Sequence, residues 1–374
     1  MTGRRPRATG IVGQGRRNTA RALVQVALLM VAAIVLTGCA GADLPQDTLA
    51  PEGPVARAQD DLWDKVFIVA VIVFVIVEAM LVFVLVKFRA KPGEPSAELP
   101  KQTHGNTKLE VLWTIIPALI LAFIAVPTVK LIFELAAEPE NALQVRVIAK
   151  QYWWEFEYTG PEGKGVVTAN ELVIPVNRPV HLTMESTGQQ PTPSLKDPGV
   201  IHSFWVPKLA GKQDIVPGHI RNLTIEATKP GVSYSGQCAE FCGLSHANMR
   251  FAVLAVDDAA FTAYIEEHSS PQTTPTSGDA ANGAKLFSER QCIGCHAIGG
   301  YEGASARVGP DLTRFAQRKK FAGYMLDNDI NEGAENVSAW LKDPQVVKPG
   351  SQMPDLNLQD GDVADLVAYL RTLK

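Results

Sequence analysis

Two apolar stretches limit this chain more than any other feature: VFIVAVIVFVIVEAMLVFVLV from Val66 to Val86, and VLWTIIPALILAFIAVPTVKLIF from Val111 to Phe133. Each exceeds the roughly 20 apolar residues that a helix needs to cross about 30 Å of hydrocarbon. The first carries one charge, Glu78, and the second carries Lys130 near its end. Pro117 and Pro127 do not veto the second span, because neighbours in a membrane can satisfy the carbonyls that a proline frees. Lys87, Arg89, Lys91, Lys101 and Lys108 lie between the stretches, so that loop faces the cytoplasm and everything after Phe133 faces outward. The expected frame is a transmembrane hairpin, with helices over 63–90 and 109–136 and a cytoplasmic loop over 91–108.

Ahead of the hairpin, Arg4, Arg5, Arg7, Arg16, Arg17 and Arg21 precede the apolar run ALVQVALLMVAAIVL, which ends in LTGC. A basic start and a short apolar run read as a signal peptide, and the small residues before Cys39 resemble the lipobox of bacterial lipoproteins, which implies a lipoprotein signal peptide over 1–38. Cys39 would then be the lipidated new N-terminus, followed by an outer-face segment over 39–62. The alternative is an uncleaved membrane helix, for which the run is short. A net charge of −4 without long runs of like charge gives no basis for a nucleic-acid partner.

The outward part divides in two. From 140 to 258 the segments LQVRVIAKQYWWEFEY, ELVIPVNRPVHLTME, HIRNLTIEA and FAVLAV are short, β-branched and aromatic, with turn residues between them. They predict an all-β domain, closed as an antiparallel sandwich or barrel. The Ser/Thr/Pro stretch SSPQTTPTSG within 266–278 cannot build a core and predicts a linker, with a reach of roughly 17 Å if flexible. From 279 to 374 helical patterns predominate, in ANGAKLFSER, NVSAWLKD and DGDVADLVAYLRTL, and predict a small all-α domain.

The chain has five cysteines. Cys292, Cys295 and His296 form CIGCH, the spacing of c-type haem attachment, in which two thiols bond one haem and the imidazole meets the iron. A thioredoxin-like pair lacks its βαβ context here. A soft second axial ligand is expected further on. Met353 in GSQMPDL is the candidate, and Met325, within a helical pattern, is the rival. With GPDL at Gly309 to Leu312, the segment resembles a small monohaem cytochrome c.

Cys238 and Cys242 stand in QCAEFCGLSHANM, with Glu240, His246 and Met249 beside them. A disulfide is compatible with an oxidising compartment, but it closes a tiny loop and leaves the other three residues without a role. Zinc on two cysteines and two histidines is the second alternative. Thiolate, imidazole and thioether together suit copper better.

CAEFCGLSHANM resembles the dinuclear copper (CuA) loop of cytochrome c oxidase subunit II. The resemblance implies that Cys238 and Cys242 bridge two copper ions, that His246 ligates one, that Met249 is a weak ligand and that Glu240 gives its backbone carbonyl. It supplies His202, in VIHSFWVPKLAGKQDIVPG, as the second imidazole. It also implies a magnesium ion at the interface with subunit I, held by the Glu240 carboxylate. LEVLWTIIPALI and QYWWEFEY resemble the same family, in the type whose subunit II carries its own cytochrome c. The fold class expected is therefore a multidomain membrane protein: a two-helix transmembrane hairpin, an all-β cupredoxin-like CuA domain and an all-α cytochrome c domain.

By the same resemblance the chain would accept electrons at a covalent haem c and pass them through CuA to subunit I, which reduces oxygen to water with proton pumping. Glu110 would lie at the entrance of a proton pathway. The family places a tryptophan after the glutamine of the aromatic stretch as an electron-transfer residue. Here Tyr152 holds that place and Trp153 follows, so both are candidates. No residue of this chain is expected to be catalytic by itself, because histidine clusters for an oxygen-reducing centre are missing from the sequence. Expected partners are subunit I, the other oxidase subunits and an upstream donor such as a cytochrome bc complex or a small cytochrome c, at a bacterial plasma membrane. The rival functions are a CuA subunit of a nitric oxide reductase and a membrane copper chaperone. Glu78 should face protein within the membrane, and His104, His181, His219 and His268 have no motif support.

Overall fold

The computed structural model describes residues 25–26, 29–31, 44–89, 104–163, 165–188 and 199–374. Cys39, nearly all of the expected signal peptide and most of the expected cytoplasmic loop lie outside the described residues.

Helix α1 spans Pro54–Lys87 and α2 spans Thr107–Ala136. The apolar parts of both are long enough to cross a membrane and are unburied within the chain. Helix α1 begins well before residue 63, where the first span was expected. Pro54 suits a first helical turn, whose amide needs no partner, and the polar stretch after it favours helix although it carries no membrane signal. At 1.5 Å per residue its length is about 51 Å, more than the hydrocarbon requires. The excess reaches the β domain. A Cβ on Gly53 would lie 2.0 Å from the Glu226 carbonyl oxygen, and the Glu52 amide donates to the Lys208 carbonyl at 2.8 Å. Helix α2 is capped by Asn106, whose side chain accepts from the Lys108 and Leu109 amides.

The β domain is a sandwich of two five-stranded sheets. Its strands are β1 Leu143–Lys150, β2 Trp153–Tyr158, β3 Val167–Ala169, β4 Glu171–Pro175, β5 Val180–Ser186, β6 His202–Trp205, β7 Gln213–Ile215, β8 Arg221–Ile225, β9 Ser233–Cys238 and β10 Arg250–Val256. One sheet runs β3-β2-β1-β5-β8 and the other β4-β10-β9-β6-β7. The expectation of purely antiparallel pairing is corrected here: β1 with β5 and β10 with β4 are parallel. The chain crosses to the second sheet at β4 and returns, which lays β5 beside β1 in the same direction. Trp154, Phe204 and Phe251 meet at the centre with ring centroids 4.5–5.5 Å apart. All three are buried, and each such side chain contributes about 1.5–3 kcal/mol by leaving water.

Helix α3, Asp258–Ser269, follows β10 and occupies the start of the segment expected as linker. The helical domain comprises α4 Gly278–Glu289, α5 Glu335–Lys342, the single turn α6 Pro344–Val347 and α7 Asp360–Leu370. Helices α4 and α7 cross closely at Gly283, where a Cβ would lie 2.0 Å from the Asp365 carbonyl oxygen. A two-residue pairing of β11, Lys320–Phe321, with β12, Leu326–Asp327, interrupts the all-α pattern.

The linker does not hang as a loose tether. The Gln272 amide donates to the Gly299 carbonyl at 2.7 Å, and its side chain donates to the Lys374 carbonyl at 2.7 Å. Arg314 donates to the carbonyl of Glu267 and, at 2.9 Å, to that of Ser270. Main-chain carbonyls at the end of α3 draw this arginine, which the serine- and threonine-rich composition could not reveal.

Candidate functional site

The first cluster is built by strand register. His202 opens β6, Cys238 closes β9, and Phe204 of β6 pairs with Cys238. The connection to β10 then folds over this sheet end through the turn His246–Asn248. The Cys238 and Cys242 sulfurs lie 3.9 Å apart. Each faces one imidazole: Cys238 Sγ is 3.7 Å from His202 Nδ1, and Cys242 Sγ is 3.6 Å from His246 Nδ1. The Met249 Sδ lies 3.9 Å from Cys242 Sγ, and the Glu240 carbonyl oxygen 3.2 Å from Cys238 Sγ. All six residues expected at this site are therefore brought together.

A disulfide needs about 2.05 Å between sulfurs, so both cysteines are free thiols. The hydrogen bond from Cys242 holds the Cys238 thiol well below its usual range, and the same bond pushes Cys242 up, with burial adding to it. Cys238 is thereby drawn toward the thiolate form that binds metal, whereas a metal ion would have to displace the proton that Cys242 holds. The His202, Cys238 and Cys242 donor atoms lie within 4.8 Å of one another, and all three residues are buried. Soft sulfur and imidazole donors at this spacing fit copper.

The second cluster lies in the helical domain. A single helical turn over Cys292–Gly294 presents the motif, and the His296 amide donates to the Cys292 carbonyl at 3.0 Å. His296 Nδ1 donates to the Pro310 carbonyl at 2.7 Å, which leaves Nε2 as the lone-pair nitrogen. Burial also lowers the His296 pKa, favouring the neutral ring. A Cβ on Gly309 would lie 2.6 Å from His296 Cε1, so only glycine admits the ring there. Cys292, Cys295, His296 and Met353 line one largely apolar cavity, with Phe287 and Leu358 among its walls. Among the described residues, Met353 and not Met325 belongs to that wall. A thiol pair, a neutral imidazole and a thioether around an apolar cavity fit a haem.

The two clusters meet at Tyr152. Tyr152 and Trp153, each 7% exposed, line the same cavity as His296. On its other side, Tyr152 Oη would be 2.4 Å from a Cβ on Gly243, within the cysteine loop, where φ is +124°. Gln151 Nε2 donates to the Cys242 carbonyl at 2.6 Å. Lys348 Nζ, from the helical domain, donates to the Tyr152 carbonyl at 2.6 Å. Sequence reasoning missed Gln151 and Lys348. The position of Gln151 beside Tyr152 was a usable signal, whereas nothing local marks Lys348.

Glu110 lies in the first turn of α2, exposed. Glu78 sits on α1 with Phe74, Val82 and Lys87 around it. His181 and His268 find Thr224 Oγ1 and the Tyr264 carbonyl at 3.4 and 2.9 Å, while His104 and His219 are exposed.

By class, this is a membrane-anchored redox protein, with a metal-binding β-sandwich joined to a cytochrome-type helical domain. Three family models match it. Residues 47–131 match the transmembrane domain of cytochrome c oxidase subunit II, 143–256 its periplasmic domain, and 280–374 cytochrome c. The cytochrome c oxidase subunit 2 of Alkalihalophilus pseudofirmus is 39% identical over 348 residues, covering 91% of this chain and 94% of that one. The subunit 2 of Bacillus subtilis is 36% identical over 368 residues, covering 93% and 97%. A solved periplasmic domain of subunit II from Bradyrhizobium japonicum aligns at 27% identity over 35% of this chain and 96% of that one, with a TM-score of 0.30. The chain belongs to the cytochrome c oxidase subunit II family and carries a cytochrome c domain after the periplasmic one. Membership implies copper in the β domain, haem in the helical domain and other oxidase subunits as partners.

Proposed function

We propose that this chain is the electron-accepting subunit of a respiratory cytochrome c oxidase: it takes electrons in at a covalent haem c and delivers them, through a dinuclear CuA centre, to the oxygen-reducing and proton-pumping subunit I. The observation that carries this reading is the shared wall. Tyr152 touches the cysteine loop on one side and lines the His296 cavity on the other.

Haem and copper, when bound, supply single-electron storage. The chain's own residues do the rest. Cys292, Cys295, His296 and Met353 would hold the haem. Cys238, Cys242, His202, His246, Met249 and the Glu240 carbonyl would hold the copper ions. Burial of Cys238 and Cys242 at 5% and 3% exposure keeps water from the thiolates. Tyr152 and Trp153 are the electron-transfer residues between the domains. The Glu240 carboxylate serves a magnesium site against subunit I, and Glu110 the entrance of a proton pathway. The protein sits in the bacterial plasma membrane as a multi-pass chain with Cys39 lipidated. Its donor is a cytochrome bc complex or a small cytochrome c.

The test is to purify the intact complex and determine copper per chain together with its optical and electron paramagnetic resonance spectra. A mixed-valence copper signal alongside a low-spin haem c is expected. Zinc in place of copper, or copper ions that do not share an electron, would overturn the assignment.

A further inference from the structure

The flank of the β domain beside Tyr152 carries charges that strand alternation would place in water. Lys150 ends β1 and Glu155 lies on β2, yet they are only 3% and 1% exposed. Lys150 Nζ donates to Glu155 Oε2 at 2.9 Å, and Arg307 Nη2 donates to Glu155 Oε1 at 2.8 Å. Lys150 Nζ also donates to the Arg307 carbonyl at 2.5 Å, and Arg307 pairs with Glu157. Arg307 stands two residues before Gly309, which packs on the His296 ring. The β domain therefore grips the loop that backs the haem ligand.

Three further contacts bind the same two domains. The Arg250 amide donates to the Gly323 carbonyl at 3.0 Å. Lys319 and Lys320 amides donate to Glu171 Oε1 at 2.9 and 3.3 Å, and Lys348 reaches the Tyr152 carbonyl. A glycine with φ of +76° stands at the closest point. A Cβ on Gly323 would lie 2.4 Å from the Asn248 carbonyl oxygen and 2.4 Å from Lys348 Nζ. Buried, mutually bonded charges fix a geometry more firmly than they add stability, because removing one partner strands the others.

We propose that the two domains form one fixed redox unit, in which Arg307 and Lys348 are positioning residues that seat the cytochrome domain on Tyr152 and close Tyr152 and Trp153 to any external donor. Electron transfer between the domains then needs no docking step. One electron leaves the haem, which is oxidised, and reduces copper, with no bond broken and no proton moved. The electron-transfer part rests on the function proposed above, whereas the fixed docking does not.

The test has two readouts on the intact oxidase complex. The first is hydrogen exchange at the Arg250, Lys319 and Lys320 amides, which reports docking without reference to electron flow. In the unaltered complex these amides should exchange as slowly as those of the central strands. Arg307→Gln and Lys348→Met should each speed them about tenfold or more, while Arg307→Lys restores part of the protection. The second is flash reduction of haem by a soluble ruthenium complex, followed in buffers of rising viscosity. The rate should be insensitive to viscosity in the unaltered complex and become slower and viscosity-dependent in Arg307→Gln, as motion on the linker takes over. Unchanged optical spectra of both centres show that a variant has folded, and Lys348→Met provides the second route if Arg307→Gln has not. Amides that exchange at open-loop rates, or a viscosity-dependent rate in the unaltered complex, would overturn fixed docking. Protected amides without any haem-to-copper transfer would instead overturn the proposed function and leave the docking intact.

Discussion

Two cysteine pairs lie about fifty residues apart and are prepared for opposite chemistry. In the copper loop, Cys238 and Cys242 face each other across 3.9 Å, and the hydrogen bond between them draws Cys238 toward thiolate while pushing Cys242 up. In the haem motif, burial pushes the Cys292 thiol up to about 11, although a hydrogen bond with its own backbone pulls the other way. A metal bridge needs thiolates, and in the first pair only Cys238 is drawn that way, so a metal ion would have to displace the proton that Cys242 holds. At Cys292 burial favours the neutral thiol instead. The scaffolds differ in the same sense. Strand register fixes Cys238 against β6, whereas one helical turn and a carbonyl behind His296 orient the other motif. Cysteine spacing sets what a pair can reach, and burial and hydrogen bonding set which thiol is readied for it.

The largest break in that comparison is Cys242→Ser. It should remove the copper signal altogether while leaving haem attached, because the two ligand sets share no residue. Metal content and electron paramagnetic resonance on the purified complex measure it. Survival of the mixed-valence signal would mean that the facing thiols are not the bridge.

A smaller effect sharpens the haem side. Met353→Ala should lower the haem potential by on the order of 0.1 V or more, within the roughly 0.8 V that axial ligands command, and open a coordination position. Met325→Ala should leave potential and spectrum unchanged, since Met325 lies off the cavity wall. Redox titration of both variants decides between them, and a spectral change in Met325→Ala alone would reverse the ligand assignment.

What was legible in the chain was whatever is local. Both clusters lie within short motifs, His202 and Met353 excepted, and both spans announce themselves by unbroken apolar runs. The start of α1 at Pro54 escaped because ARAQDDLW favours helix without apolar continuity. Parallel pairing of β1 with β5 escaped because alternation is the same in either direction. The domain interface was the least legible part. Lys150, Glu155 and Glu157 look like the watered edge of an ordinary strand pair, and their partner Arg307 lies some 150 positions further on. Only the fold brings such charges together, so a linker composition that spoke for a free tether misjudged the docking.

The smallest expected effect concerns two glutamates at that interface whose pH responses run in opposite directions. Burial pushes Glu157 up, but the bond from Arg146 and the charge of Arg307 outweigh it and leave the carboxyl below its usual 4.5. Its contribution is therefore complete above pH 4.5 and is lost as pH falls through the lower folded value. Burial holds Glu171 above 4.5 despite the pull of Arg318 and the Lys319 and Lys320 amides. Its folded form keeps a proton that the unfolded chain has released, so it favours folding most at low pH and costs stability as pH rises through the raised value. At pH 7, Glu157→Gln should thus destabilise the cytochrome domain's seat by about 1.5–3 kcal/mol, the worth of a hydrogen bond to a charged group. Glu171→Gln keeps an oxygen for the two amides and loses the buried charge, so it should be neutral or stabilising. Thermal unfolding of the complex, followed through the haem absorbance at pH 7 and again near pH 4, should show the deficit of Glu157→Gln shrinking with acid. A deficit that stays constant with pH would mean that the Arg146–Glu157–Arg307 contact does not carry the charge-dependent part of the docking.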